Sequence, residues 1–170
     1  MSDYVIYECP FYRMGMELEN GFVTGLDFEA DLFRPVTGIS PENEDAYHAA
    51  KAYLDGFFAG KKVSNETVPV KPAGTEFQKS VWEIIRMIPY GKTLTYGEIA
   101  MKTAAQKGVS KMSAQAVGNA AGANPVPIII PCHRVMGAGG KLTGFTGGMD
   151  KKIRLLGLEG HETANGKLIK

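Results

Sequence analysis

A thiol, an imidazole and a guanidinium stand in a row at Cys132, His133 and Arg134. A thiol attacks carbon as its thiolate, so Cys132 needs a lowered pKa or a base within reach before it can act as a nucleophile. His133 is the nearest base in sequence, but adjacent residues on a helix or strand point apart. Proton transfer through one water is therefore expected rather than direct contact. An imidazole used in this way wants a carboxylate behind it. Residues 76–170 offer six acidic side chains, and the sequence pattern does not choose among them. A buried cysteine that merely fills space is the competing reading. Two other stretches only imitate chemistry. Gly91-Lys92-Thr93 lacks the upstream glycine of a phosphate loop, since Arg86 stands there, and Gly137 to Lys141 has its glycines and lysine at the wrong spacing.

The triplet sits at the end of Asn124-Pro-Val-Pro-Ile-Ile-Ile-Pro131. Three β-branched residues bounded by prolines predict a buried strand or extended segment, and Pro131 should end it. Around this arm the chain divides in two. From Tyr4 to Phe33 the pattern is strand-like, and alternating apolar and β-branched runs broken at Asn20-Gly21 predict a small antiparallel meander. Ser40-Pro41 marks a helix start, with Ala46, Tyr47, Ala50, Tyr53, Leu54, Phe57 and Phe58 on one face and an end near Gly60. Residues 61–74 read as a linker, which puts the boundary between parts 1–74 and 75–170.

The second part reads as helical. Thr75-Glu76-Phe77-Gln78 and Thr95-Tyr96-Gly97-Glu98 are capping boxes, the first opening a helix that stops before Pro89, the second a short helix through Ala100. A third helix is expected from Ser113 through Ala123. Two short helices joined at a glycine turn have the outline of a helix-turn-helix. The third is rich in Ala and Gly, which suits close packing in a core; Gln115 and Asn119, one turn apart, suit a polar partner. A last helix is expected to bury Ile153, Leu156 and Leu158 and to face solvent with Lys151, Lys152 and Arg154. The tail from Glu162 is expected to fray.

Composition narrows the classes. With 44% hydrophobic and 22% charged residues among 170, the chain is ordinary for a soluble globular protein. No signal peptide or membrane-spanning run is apparent, and two cysteines favour a reducing, cytoplasmic setting. Cys9, Cys132 and three histidines provide no zinc-ligand spacing. Charge is uneven: residues 1–75 hold six basic against twelve acidic side chains, the rest thirteen against six. A polyanionic partner for the second part, or two solvated surfaces of different charge, would each account for that split.

Pro131-Cys132-His133-Arg134-Val135 resembles the active-site signature of the O6-alkylguanine-DNA alkyltransferases. Phe77 to Trp82, Ile88-Pro89-Tyr90-Gly91, Thr95-Tyr96, Ala116-Val117-Gly118, Asn124-Pro125 and Leu155 to Gly160 follow that family in order and spacing. The likeness covers about residues 75–160 closely and the N-terminal part only in general shape.

The resemblance implies an α+β protein: an N-terminal ribonuclease H-like module with a small antiparallel sheet, and a mainly helical, winged-helix-like DNA-binding module. It implies single-use transfer of an alkyl group from O6-alkylguanine, with O4-alkylthymine as a second candidate lesion, to Cys132. His133 would take the thiol proton through water, Glu159 would pair with His133, and Asn124 would support the turn. Tyr96 would lie near an everted nucleotide. Arg134, followed by Val135, would secure the active-site loop. Ala114, Gln115, Ala116, Gly118 and Asn119 would enter the minor groove of double-stranded DNA. Phe145, Thr146 and Gly147 would wall the base pocket. No cofactor or metal is implied, no membrane partner, and a monomer is expected. One departure stands out: Gln115 occupies the position where relatives commonly place an arginine. A non-catalytic lesion binder and a cysteine hydrolase are the alternatives. The first is disfavoured because such binders lack the acceptor cysteine; the second would turn over repeatedly.

Overall fold

The computed structural model describes residues 2–145 and 147–170. Five α-helices and a small antiparallel sheet among these residues make an α+β protein. The chain forms two compact units, one of residues up to Ala73 together with Pro125–Ile129, the other of Gly74–Asn124 and Ile130–Lys170. No helix among the described residues is long and apolar enough to cross a membrane.

In the first unit β1 (Ser2–Glu8), β2 (Arg13–Glu19) and β3 (Phe22–Asp27) form an antiparallel sheet in sequence order. Asn20 and Gly21 both take positive φ at the β2–β3 turn, the conformation that lets a two-residue hairpin follow strand twist. The helix α1 (Glu44–Phe58) buries Ala46, Ala50, Tyr53, Leu54, Phe57 and Phe58. Its start differs from expectation. Pro41–Asn43 form a 3-10 turn ahead of it, and the Ser40 hydroxyl caps nothing. Ser40 instead donates to Asp3 at 2.9 Å, and buried Asn43 donates to Asp3 at 2.8 Å while accepting from Gly21 N at 2.8 Å. A carboxylate takes a helix-start hydroxyl more strongly than a backbone N–H would, because the bond is charge-assisted.

Residues 61–74 are packed rather than free. Val70 bridges to Val23, and the Asn65 amide donates to Ile129 O at 2.7 Å. Residues 125–129 join this unit through such bonds, including Leu26 N to Pro125 O at 2.9 Å. The expected strand at Ile128–Ile130 is not there. Ile128 has φ of +72°, and Ile129 N bonds back to Pro127 O at 2.9 Å, so the segment is a tight buried turn. A β-branched residue in the left-handed region costs about 1–3 kcal/mol, which surrounding contacts must offset.

The second unit holds α2 (Glu76–Arg86), α3 (Tyr96–Lys107), α4 (Ala114–Gly122) and α5 (Met149–Leu158). Both capping boxes form, at Thr75/Gln78 and at Thr95/Glu98. The helix α3 runs well past Ala100 and ends at Gly108, whose left-handed φ of 68° satisfies the terminal carbonyls. Trp82 Nε1 donates to Ala120 O at 2.7 Å and so locks α2 to α4. Short strands β4 (Leu94–Thr95) and β5 (Val135–Met136) pair in parallel. The tail does not fray. β6 (Thr163–Ala164) and β7 (Lys167–Leu168) form a hairpin about Asn165-Gly166, both at positive φ.

Replacing Asn43 by alanine strands the Gly21 N–H and removes a donor from Asp3. Asn43→Ala is expected to cost about 2 kcal/mol, read as a lower denaturation midpoint in urea with an unchanged slope.

Candidate active site

Pro131, with no N–H and a fixed φ, hands the chain into a 3-10 turn at Cys132–Arg134. Cys132 N bonds to Ile130 O at 2.8 Å and Arg134 N to Pro131 O at 2.9 Å. The turn is held from outside by Asn124. Its amide nitrogen donates to Ile130 O at 2.8 Å and lies 3.3 Å from Cys132 Sγ, one hydrogen fixing the backbone and the other facing sulfur.

Cys132 is only 5% exposed. Burial pushes its thiol up from the ordinary range; the Asn124 amide, the Lys152 charge and the backbone N–H groups of Cys132 and His133 pull the other way without overcoming it. Behind the turn, His133 Nε2 and Glu159 Oε2 are 2.5 Å apart, both side chains fully buried. Arg134 Nε donates to both Glu159 oxygens at 2.9 Å, and Gly91 N donates to Oε1 at 2.7 Å. Burial alone would raise the Glu159 carboxyl, yet the His133 bond, the charges of His133 and Arg134 and the Gly91 N–H hold it below its usual value. For His133 burial wins: it lowers the imidazole despite the carboxylate. The pair is thus carboxylate and neutral imidazole, with the shared proton on Nε2 and Nδ1 as the basic nitrogen.

Arg134 also donates from Nη1 to Ile88 O at 2.7 Å, and its guanidinium stands 5.8 Å from the Tyr90 ring centre. Tyr90 in turn donates to Leu158 O at 2.9 Å. The stretch Ile88–Gly91 is therefore pinned to the same carboxylate as the nucleophile turn.

An open cleft of about 750 Å³ lies in this unit. Tyr96, Ala114, Gln115, Gly118, Asn119 and Phe145 line it, together with Thr143 and Gly144. Gln115 and Asn119 are exposed. Ala116 and Gly147 are half-buried and off the lining; Val135 is buried in β5, paired with Leu94. Cys132 does not line the cleft either, although a Cys132 thiolate would act on the Tyr96 phenol, which burial already pushes up. Thr146 lies outside the described residues. Among the described residues no group of three or more His, Cys, Asp or Glu side chains could hold a metal ion.

One residue of this site was assigned by its sequence pattern to the wrong face. Lys152, expected on the solvent side of α5, is fully buried, while Ile153 is 40% exposed. Lys152 Nζ donates to Val135 O at 2.7 Å and Thr143 O at 3.0 Å, which joins the strand after the nucleophile to the cleft wall. Burial lowers its pKa to about 8, with Cys132 opposing. The available signal was negative: Leu155 and Leu156 set the buried stripe, and position 152 falls on it at the helical spacings of three and four.

Residues 76–161 match the family profile described as 6-O-methylguanine DNA methyltransferase, DNA binding domain. The chain is 50% identical over 119 residues to a methylated-DNA–protein-cysteine methyltransferase of Methanosarcina acetivorans, covering 70% of this chain and 72% of that one. It is 36% identical to the protein of the same name from Haemophilus influenzae, over 92% and 85% of the two chains. Among solved structures it is similar to Mycobacterium tuberculosis OGT in complex with DNA, at a TM-score of 0.76 and 37% identity, covering 92% of each chain.

Lys152 sets a pH signature. Its pKa is lowered on folding, so between about 8 and the ordinary 10.5 the unfolded chain binds the extra proton, and stability gains from rising pH. The raised cysteine and tyrosine groups act oppositely from about pH 9 upward, within that same range, so the comparison must be with a variant. Relative to Lys152→Met, the parent protein should gain stability as pH rises from about 8 to 10.5, by on the order of 2–3 kcal/mol, measured by urea unfolding. Parallel stability curves would place the amine in solvent.

Proposed function

Because the chain belongs to the 6-O-methylguanine DNA methyltransferase family, we propose that it repairs DNA by moving the alkyl group of O6-alkylguanine onto Cys132, once per molecule. The observation that supports this most directly is the chain of contacts from Cys132 Sγ to Asn124, and from His133 to an ionised Glu159, beside an open cleft. In the reaction the thiol proton leaves through water to His133 Nδ1. The sulfur forms a bond to the alkyl carbon as the carbon–O6 bond breaks. That electron pair passes to guanine, which takes up a proton at the face near Tyr96. The product thioether has no acyl-like centre for water to attack, so the sulfur is spent. O4-alkylthymine offers the same electrophilic carbon.

The lesion carbon is not reachable inside a duplex, so the nucleotide is everted. Cys132 is buried, so entry requires the wall at Tyr96 and Thr143–Phe145 to part. The small residues of α4, Ala114, Ala116 and Gly118, suit close approach to a minor groove, where contacts carry little sequence information. Thirteen basic against six acidic side chains in residues 76–170 favour that partner. The turn between α3 and α4 supports a winged-helix-like reading of 75–170, and the sheet with α1 a ribonuclease H-like reading of 1–74. The protein acts as a monomer in the reducing cytoplasm, where Cys132 stays a thiol.

Incubation with duplex DNA containing O6-methylguanine, followed by intact-mass and peptide analysis, should place one methyl group on Cys132 and none on Cys132→Ser. Unmodified protein that binds the lesion would favour a non-catalytic binder; repeated turnover would favour a hydrolase. Gln115 is shorter than arginine and uncharged, so it fills the vacated base stack poorly. Gln115→Arg should speed transfer from duplex DNA by about tenfold while leaving transfer from the free O6-alkylguanine base unchanged. An equal effect on both substrates would remove the extrusion role from position 115.

A further inference from the structure

The wall of the cleft at Ala138 and Thr143–Phe145 belongs to the loop between β5 and α5. Loops of small residues such as this one are ordinarily loose. Here the inner side is tied by Lys152 to Thr143 O. The outer side is tied by the chain's last residues. Leu142 N donates to Gly166 O at 2.8 Å, Lys141 bridges to Lys167, and Gly140 approaches Leu168 so closely that an added Cβ would lie 3.3 Å from its carbonyl oxygen. The Leu168 side chain packs on Met136, Leu142 and Leu156. The hairpin closes on itself through Ile169 N to Glu162 O at 2.8 Å and the Asn165-Gly166 turn.

From this geometry we infer that the C-terminal hairpin is a strap that fixes the outer position of the cleft wall, with Leu168 as its positioning residue, and so sets how large an alkyl group the pocket accepts. The inference rests on the alkyl-transfer reading above. Leu142, bonded to the hairpin, is the immediate neighbour of Thr143, which lines the cleft, so a shift of the strap moves the wall. A two-stranded hairpin is marginal by itself. Its order and that of the loop therefore depend on each other through Leu168. A wall held in place grips a methyl group; a released wall gives way to a benzyl group.

The test uses the full chain with Leu168→Ala, with Gly166→Val as a second variant that strains the turn at φ of +74°, and with Leu168→Met as the conservative rescue. Two measurements are made: amide hydrogen exchange across 138–145, and rates of transfer from duplexes bearing O6-methylguanine or O6-benzylguanine. Both disruptive variants should speed exchange at Leu142 by at least about tenfold while amides of α2 stay protected. The benzyl-to-methyl rate ratio should rise by on the order of tenfold, and Leu168→Met should restore both. Unchanged exchange at Leu142 would overturn the strap, as would a loosened loop with an unchanged ratio or an equal loss of both rates. Absence of transfer by the parent protein would instead sink the alkyl-transfer reading, while exchange at Leu142 still decides whether the strap exists.

Discussion

A single buried carboxylate, Glu159, holds the second unit's working parts in register. It accepts from the His133 ring, from Arg134 Nε and from Gly91 N, three donors that arrive from two separate stretches of chain, the nucleophile turn and the segment at Gly91. Burying such a cluster is weak support for stability, because desolvation of the ions roughly cancels their attraction. What the cluster supplies is position. An Arg134 guanidinium with one edge on Glu159 and one nitrogen on Ile88 O cannot swing, and the turn bearing Cys132 cannot swing without it. The imidazole is likewise fixed in one tautomer, with its basic nitrogen directed away from the acid.

The sulfur is held from the opposite side by neutral contacts. Asn124 spends one amide hydrogen on the backbone of the turn and presents the other to Sγ. A neutral donor of this kind stabilises thiolate without bringing a competing ion into the pocket. The cleft beside it is built from different material. Gly118 of α4 faces the Tyr96 ring, so close that a Cβ there would be in van der Waals contact with it. Rigid, charged machinery thus lies beneath a surface of small residues that can approach another backbone.

What the sequence revealed and what it hid divide by range. Capping boxes at Thr75 and Thr95 were readable because their partners lie three residues away. The hairpin at Asn20-Gly21 was readable because apolar strands flank it. The same dipeptide at Asn165-Gly166 has no long alternating apolar runs beside it, and that hairpin is ordered by Leu168 packing on Met136, Leu142 and Leu156. The β-branched run Ile128–Ile130 suggested a strand, yet bonds from Tyr53 and Asn65 to its carbonyls hold Ile128 and Ile129 in a turn. Tertiary partners outvoted propensity there. Local pattern could not pick which carboxylate stands behind His133, since Glu159 is 26 residues away; only the resemblance singled it out. Lys152 was misplaced because a lysine is read as solvent-facing unless two buried carbonyls are known to await it.

Those two carbonyls complete the electrostatics of the site. Glu159 is ionised and balanced by Arg134, so the pair adds no net charge to the pocket. Two further ionisable neighbours are a thiol pushed up by burial and an amine pushed down by it, each moved back toward its charged form by the other. A site containing thiol and neutral amine is uncharged, and so is one containing thiolate and ammonium. Only the states in between leave an unbalanced charge away from water. Ionising the nucleophile therefore costs least when Lys152 is protonated, and the cation that favours this is already bonded to the cleft wall.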